Sequence, residues 1–138
     1  MSYDVVVFEP EASLRDRTAF RDWFKIRTQW GDRANDPTHA TPRLQAWFEE
    51  ISKTFPPMNT PNRPTFEDAD AWDRAVDYVF AGDMIYISIS GGRAVVSYEA
   101  VSRLAAQFGI GVYDVDDEGD VWFPTANGKL EVAFRASG

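Results

Sequence analysis

The sequence predicts an α+β fold: a single domain built on a mixed β-sheet of four to six strands, with three main helices and one βαβ unit. Three observations carry this reading. Short apolar or β-branched runs recur along the chain, as YDVVVF at Tyr3–Phe8, MIYISIS at Met84–Ser90 and IGVYDV at Ile110–Val115. Between them lie longer stretches whose apolar residues return every three to four positions, the period of an amphipathic helix. The length, 138 residues with 44% hydrophobic content, is that of one domain able to bury one core.

The run Tyr3–Phe8 is almost wholly apolar and closes before Pro10, which predicts a strand covered on both faces near the middle of the sheet. A first helix is expected from Leu14 to about Gln29. Ser13 serves as N-cap with Asp16 as its capping-box partner, and Phe20, Trp23, Phe24 and Ile26 face the core. Gly31 stops it. Thr41-Pro42 opens the second helix, because threonine caps well and proline is pre-set for the first helical position. Its apolar stripe is Leu44, Trp47, Phe48 and Ile51, and it ends before Phe55-Pro56-Pro57. Four prolines between 56 and 64 forbid a continuous helix or central strand there, and a turn of helix is expected around Trp72. The runs YVF and MIYISIS, split by Gly82-Asp83, predict a hairpin. The third helix runs from Val95 to Phe108 and ends on Gly109, the residue type favoured just past a helix end. GVYDV and VWF (121–123) then form two strands around DDEG. MIYISIS, the third helix and GVYDV make the βαβ unit. Residues 125–138 read either as an added edge strand, from the alternation of Leu130, Val132 and Phe134, or as a flexible tail.

Charge and composition narrow the function classes. A formal net charge of −8 repels a phosphate backbone, so nucleic acid is not an expected partner, whereas a basic protein would be attracted. The absence of cysteine removes disulfides, thiolate metal sites and cysteine nucleophiles. The opening MSYDVVVFEPEA lacks the basic and apolar regions of a secretory signal, and no run approaches the roughly 20 apolar residues of a membrane span. These features predict a cytoplasmic protein with no cofactor.

Several motifs bear on chemistry. Asp114, Asp116, Glu118 and Gly119 match the opening of a calcium loop, but position 12 is Thr125 in place of a bidentate glutamate, so a solvated turn is expected. Ser88–Ala94 places Gly91-Gly92 between a strand and a helix without a phosphate-loop pattern. His39 has no nucleophile motif beside it, and the adjacent Glu49 and Glu50 point to different sides of a helix. Trp23 and Trp47 sit on helical stripes and read as core. Trp30 and Trp72 sit in polar or proline-rich surroundings and read either as interface anchors or as lids folded back over the core. Residues 67–77 add Glu67, Asp68, Asp70, Asp73 and Asp77 against Arg74 alone. Trp30, Asp68, Asp70, Trp72, Asp73 and Asp77 are therefore the candidate partner-binding residues. The alternative is a small enzyme or small-ligand domain using the 88–94 turn and the 114–120 acidic loop, at the strand ends where α/β sheets place ligands.

The blocks MSYDVVVFEP, TPRLQAWFEEISKTFPPMN, LAAQFGIGVYDV and VWFP together resemble a group of small bacterial proteins found beside polymorphic or contact-delivered toxins. The tail after Pro124 is outside that pattern. The resemblance implies an immunity protein: non-enzymatic, cytoplasmic, and neutralising a cognate toxin by direct binding, with a basic toxin domain as partner.

Overall fold

The computed structural model describes residues 2–55, 57, 76–90, 94–115 and 119–136. Six strands, β1 (Ser2–Phe8), β2 (Asp77–Phe80), β3 (Met84–Ser90), β4 (Gly111–Asp114), β5 (Asp120–Pro124) and β6 (Leu130–Arg135), form one sheet in the order β2-β3-β1-β4-β5-β6. Among the described residues three α-helices accompany it: α1 (Arg17–Arg27), α2 (Pro42–Ile51) and α3 (Ala94–Phe108). The fold is α+β. The turn of helix expected around Trp72 and the Gly91-Gly92 turn lie outside the described residues.

The expected mixed sheet is instead antiparallel at each of its neighbouring pairs. The βαβ unit exists in split form. β3 and β4 run parallel to each other and are joined by α3, but β1 lies between them and pairs antiparallel with both. The reason is in β1 itself. Val5, Val6, Val7 and Phe8 have no exposed surface, so only a slot covered on both faces suits this strand. Val5 and Val7 pack in the cluster of α2 and α3, and Val6 and Phe8 in the cluster of α1.

Helix α1 begins later than the sequence suggested. Residues Ala12–Arg15 form a 3-10 turn that buries Leu14, and Asp16, not Ser13, is the N-cap, accepting the Ala19 N–H at 2.9 Å. Phe20 is buried with Trp23 and Phe24 packed against the same cluster, whereas Ile26 is 58% exposed and does not join the core. Helix α2 follows expectation. Thr41 caps it, Pro42 stands in its first turn, and Leu44, Trp47, Phe48 and Ile51 are all buried. Helix α3 closes with two hydrogen bonds, from Gly109 N–H to Ala106 O (3.3 Å) and from Ile110 N–H to Ala105 O (3.0 Å). This pairing needs the left-handed φ of +69° that Gly109 adopts.

Residues 130–135 form the edge strand β6 on β5. A register shift at Val121/Trp122 gives it a bulge, which twists the exposed edge and discourages a further strand from adding there. Two carboxylates hold the helices to the sheet, Asp83 in the β2–β3 turn and Glu9 just past β1. Asp83 accepts from Trp23 Nε1 (3.0 Å) and Arg27 Nε (2.7 Å) of α1. Glu9, nearly buried, accepts from Thr41 Oγ1 and from Arg43 Nη2 of α2 (2.5 Å). Charge-assisted bonds of this kind are among the stronger ones in proteins.

Tyr78, on β2, is fully buried and donates its hydroxyl to Phe55 O at 2.6 Å. Burial pushes its ionisation above the usual tyrosine value of 10.0. In the unfolded chain Tyr78 ionises near that usual value, and in the native chain it stays neutral. The stability it contributes is therefore fully present below pH 10 and is lost as the pH climbs further. The unfolding free energy should fall above that point with a limiting share of about 1.4 kcal/mol per pH unit from this group. Tyr78→Phe should be less stable at neutral pH but show a shallower alkaline slope in urea titrations. An unchanged slope would rule out Tyr78 as its source.

Candidate functional site

The sheet face that carries α1 is only partly covered. Strand alternation sends Asp4, Val6 and Phe8 of β1, Met84, Tyr86 and Ser88 of β3, and Asp77 and Val79 of β2 to this side. Phe20, Trp23 and Phe24 lie over Phe8 and Tyr113. The rows nearer the start of β1 and the end of β3 stay accessible. A cleft of about 300 Å³ opens there, lined by Phe24, Thr28, Trp30, Val79, Tyr86 and Ser88.

Two features give this cleft its chemistry. The first is a run of rings. Trp30, 43% exposed, meets Tyr86 edge-on at 5.6 Å; Tyr86 stacks on Phe24 at 6.3 Å; and Phe24 meets Tyr113 edge-on at 5.0 Å. An exposed indole in the loop after α1 is thus backed by the rings of Tyr86 on β3 and Phe24 on α1, which lowers its ordering cost on binding. The second is a row across three strands. Ser88 is the register partner of Asp77 on one side and of Asp4 on the other. At about 4.8 Å per strand, the two carboxylate-bearing positions stand about 10 Å apart with a hydroxyl between them. Asp77 is exposed. Asp4 is half-buried and accepts the Tyr86 hydroxyl at 2.6 Å, which ties the acidic row to the ring run.

Across Phe24 the field reverses. A second cleft, about 510 Å³, is lined by Thr18, Arg21, Asp22, Lys25 and Tyr113 together with Phe20, Phe24 and Ala136. Burial raises the Tyr113 pKa, against a lowering by Arg21, so its hydroxyl is neutral near pH 7. The face is therefore dipolar, acidic over β1–β3 and basic along the outer flank of α1.

Of the predicted partner-binding residues, Trp30 lines this cleft, and Asp77 is the register partner of Ser88, which also lines it. Asp68, Asp70, Trp72 and Asp73 lie outside the described residues. Trp47 is core, and Trp23 packs on the core while its indole N–H serves Asp83. The acidic-loop motif is divided. Asp114 is 7% exposed and accepts the Tyr3 hydroxyl at 2.6 Å, while Asp116 and Glu118 lie outside the described residues. Thr125, at the twelfth position, closes the β5–β6 turn with Lys129 through a 2.7 Å backbone bond. Among the described residues no three histidine, aspartate or glutamate side chains gather as a metal would require. His39 lines a separate cleft beside Arg27, Thr41 and Asp83.

Tyr86, Ser88 and Asp4 were missed as site residues. The signal for the first two was the alternation in MIYISIS, which sends three isoleucines one way and tyrosine and serine the other.

No protein-family model matches this chain, and neither a curated protein nor a solved structure matches it. The functional reading therefore rests on the geometry of this face and on the residue blocks quoted above. Among the described residues no helix is long and apolar enough to cross a membrane.

Proposed function

We propose that this chain is a non-enzymatic binding protein, an immunity protein that neutralises a basic bacterial toxin domain in the cytoplasm by direct docking. The observation that carries the reading is the Asp77–Ser88–Asp4 row set against the Trp30–Tyr86 rings. A lysine or arginine of the partner entering the cleft would meet carboxylates on two sides and an aromatic face, which favours a cation both by charge and by the ring quadrupole. The overall charge of −8 would steer a basic partner toward the encounter. The basic cleft across Phe24 would give the partner a second, opposite-signed contact and so fix its orientation.

The test is co-production in a host cell with the toxin domain encoded beside this chain. Growth should be restored by the wild type and lost with the triple variant Trp30→Ala/Asp77→Lys/Tyr86→Ala, checked as folded by circular dichroism. Rescue by the folded triple variant would remove this face from the mechanism. Absence of rescue by the wild type would remove the immunity function.

A further inference from the structure

The basic cleft across Phe24 holds polar groups that the fold itself does not use. Tyr113 of β4 is only 8% exposed, with its ring fixed edge-on against Phe20 (5.1 Å) and Phe24 (5.0 Å) of α1. It lines the cleft, yet its hydroxyl makes no hydrogen bond among the described residues. A phenol packed this deeply usually finds a partner for its O–H. Burial raises its pKa against a lowering by Arg21, so it keeps its proton near pH 7 and can donate it. The charges nearby are also unmet. Between Arg15 and Arg27 five basic residues stand against Asp16 and Asp22, on a chain whose net charge is −8. Arg27 is engaged with Asp83 at 2.7 Å, and Arg15 lies over the Phe123 ring at 4.6 Å. Arg21 and Lys25 are exposed, one turn apart on the same helix face, and both line the cleft. Their side chains form no ion pair or hydrogen bond among the described residues.

We infer that this cleft is a binding site for a small organic monocarboxylate, its carboxylate held by Arg21, Lys25 and the Tyr113 hydroxyl and its apolar body resting against Phe24 and Ala136. The volume, about 510 Å³, falls in the range of roughly 300–1,000 Å³ that small-molecule sites occupy. Arg21 and Lys25 against Asp22 leave the lining with a net charge of +1, which matches one negative charge. Asp22 would repel the second charge of a phosphate monoester. A guanidinium fork fits the two oxygens of a carboxylate, and a fixed phenol O–H adds a third donor with little ordering cost. The ligand's body is apolar because the remaining walls, apart from Thr18, are Phe20, Phe24 and Ala136. The inference goes beyond the docking surface proposed above and does not rest on it.

Titration of the isotope-labelled full chain with phenylacetate, followed by NMR, tests this. The amides of Arg21, Lys25 and Tyr113 should shift and saturate with a Kd of about 1 mM or tighter. Arg21→Gln and Tyr113→Phe should each weaken binding by roughly tenfold, as expected for losing one hydrogen bond to a charged group. Both should stay folded, since Arg21 is exposed and the phenylalanine keeps the packed ring. Asp22→Asn should tighten binding by removing a like charge. Phenethyl alcohol keeps the ring and lacks the charge, so it should not saturate these amides. The inference is overturned if phenylacetate gives no saturable shift by about 10 mM, tenfold above the expected limit. It is equally overturned if the alcohol or inorganic phosphate binds as tightly as phenylacetate, if both folded variants bind like the wild type, or if Asp22→Asn weakens binding. No toxin domain is needed, so this outcome is read separately from that of the proposed function.

Discussion

Replacing Gly111 by alanine is expected to destabilise the protein by about 3 kcal/mol, the upper end for forcing extra volume into a packed core. Gly111 opens β4 directly opposite Phe8 of β1, and the Phe8 ring lies across the place where a side chain would start. A Cβ on Gly111 would sit 2.3 Å from Phe8 Cζ and within 3 Å of both flanking ring carbons. The ring cannot swing aside cheaply. It has no exposed surface and is held by Phe20, Trp23 and Phe123 at centroid distances of 5.4, 5.6 and 5.5 Å. Moving it displaces the aromatic layer that fastens α1 to the sheet. Urea unfolding should therefore show a lower midpoint with little change in slope. The rescue is specific: Phe8→Leu costs stability alone but should recover part of the loss when combined with Gly111→Ala, because it vacates the volume the new methyl needs. A Gly111→Ala melt within a degree or two of wild type would show that β1 and β4 separate more easily than this packing implies.

What was legible in the sequence was what local chemistry decides. Thr41-Pro42 marks a helix start because a hydroxyl cap and a fixed φ act on adjacent residues, and the stripe of Leu44, Trp47, Phe48 and Ile51 then settles the buried side. The two faces of β1 were readable from its unbroken apolar run. Ser13 and Asp16 are both good caps within one turn of each other, and local preference could not choose between them. The choice was made by Leu14, whose burial on the α1 side takes up Ala12–Arg15 as a separate turn. Strand order was not legible either. The β3–α3–β4 run looked like an ordinary parallel pair, and nothing local says that a strand from the start of the chain inserts between them. The candidate site divides the same way. The exposure of Trp30 followed from its polar neighbours, but the acidic row did not, since Asp4 and Asp77 become near neighbours only through the register of two separate pairings on Ser88.

If the proposed basic partner docks on this face, Trp30→Ala should weaken its binding by about 2 kcal/mol, roughly thirtyfold in Kd, and should do so mainly through faster dissociation. The indole is part-exposed and backed by Tyr86 and Phe24, so it offers apolar area to a partner at a lowered ordering cost. Its contribution to the fold is correspondingly limited, and the variant's melting temperature should fall by only a few degrees. Asp77→Lys should act on a different step. Asp77 is exposed at the rim, where a charge steers encounter more than it holds the complex, so association should slow and its salt dependence should flatten. Tyr86→Phe keeps the ring and removes the hydroxyl that holds Asp4. It should fall between the other two in affinity, because the carboxylate remains but loses its fixed position. Surface plasmon resonance at two salt concentrations distinguishes the three. If Trp30→Ala changes association and leaves dissociation alone, the indole is steering or structural and not an anchor. If Asp77→Lys leaves the salt dependence as it was, the acidic row does not face the partner, and the docking surface must be sought elsewhere on the chain.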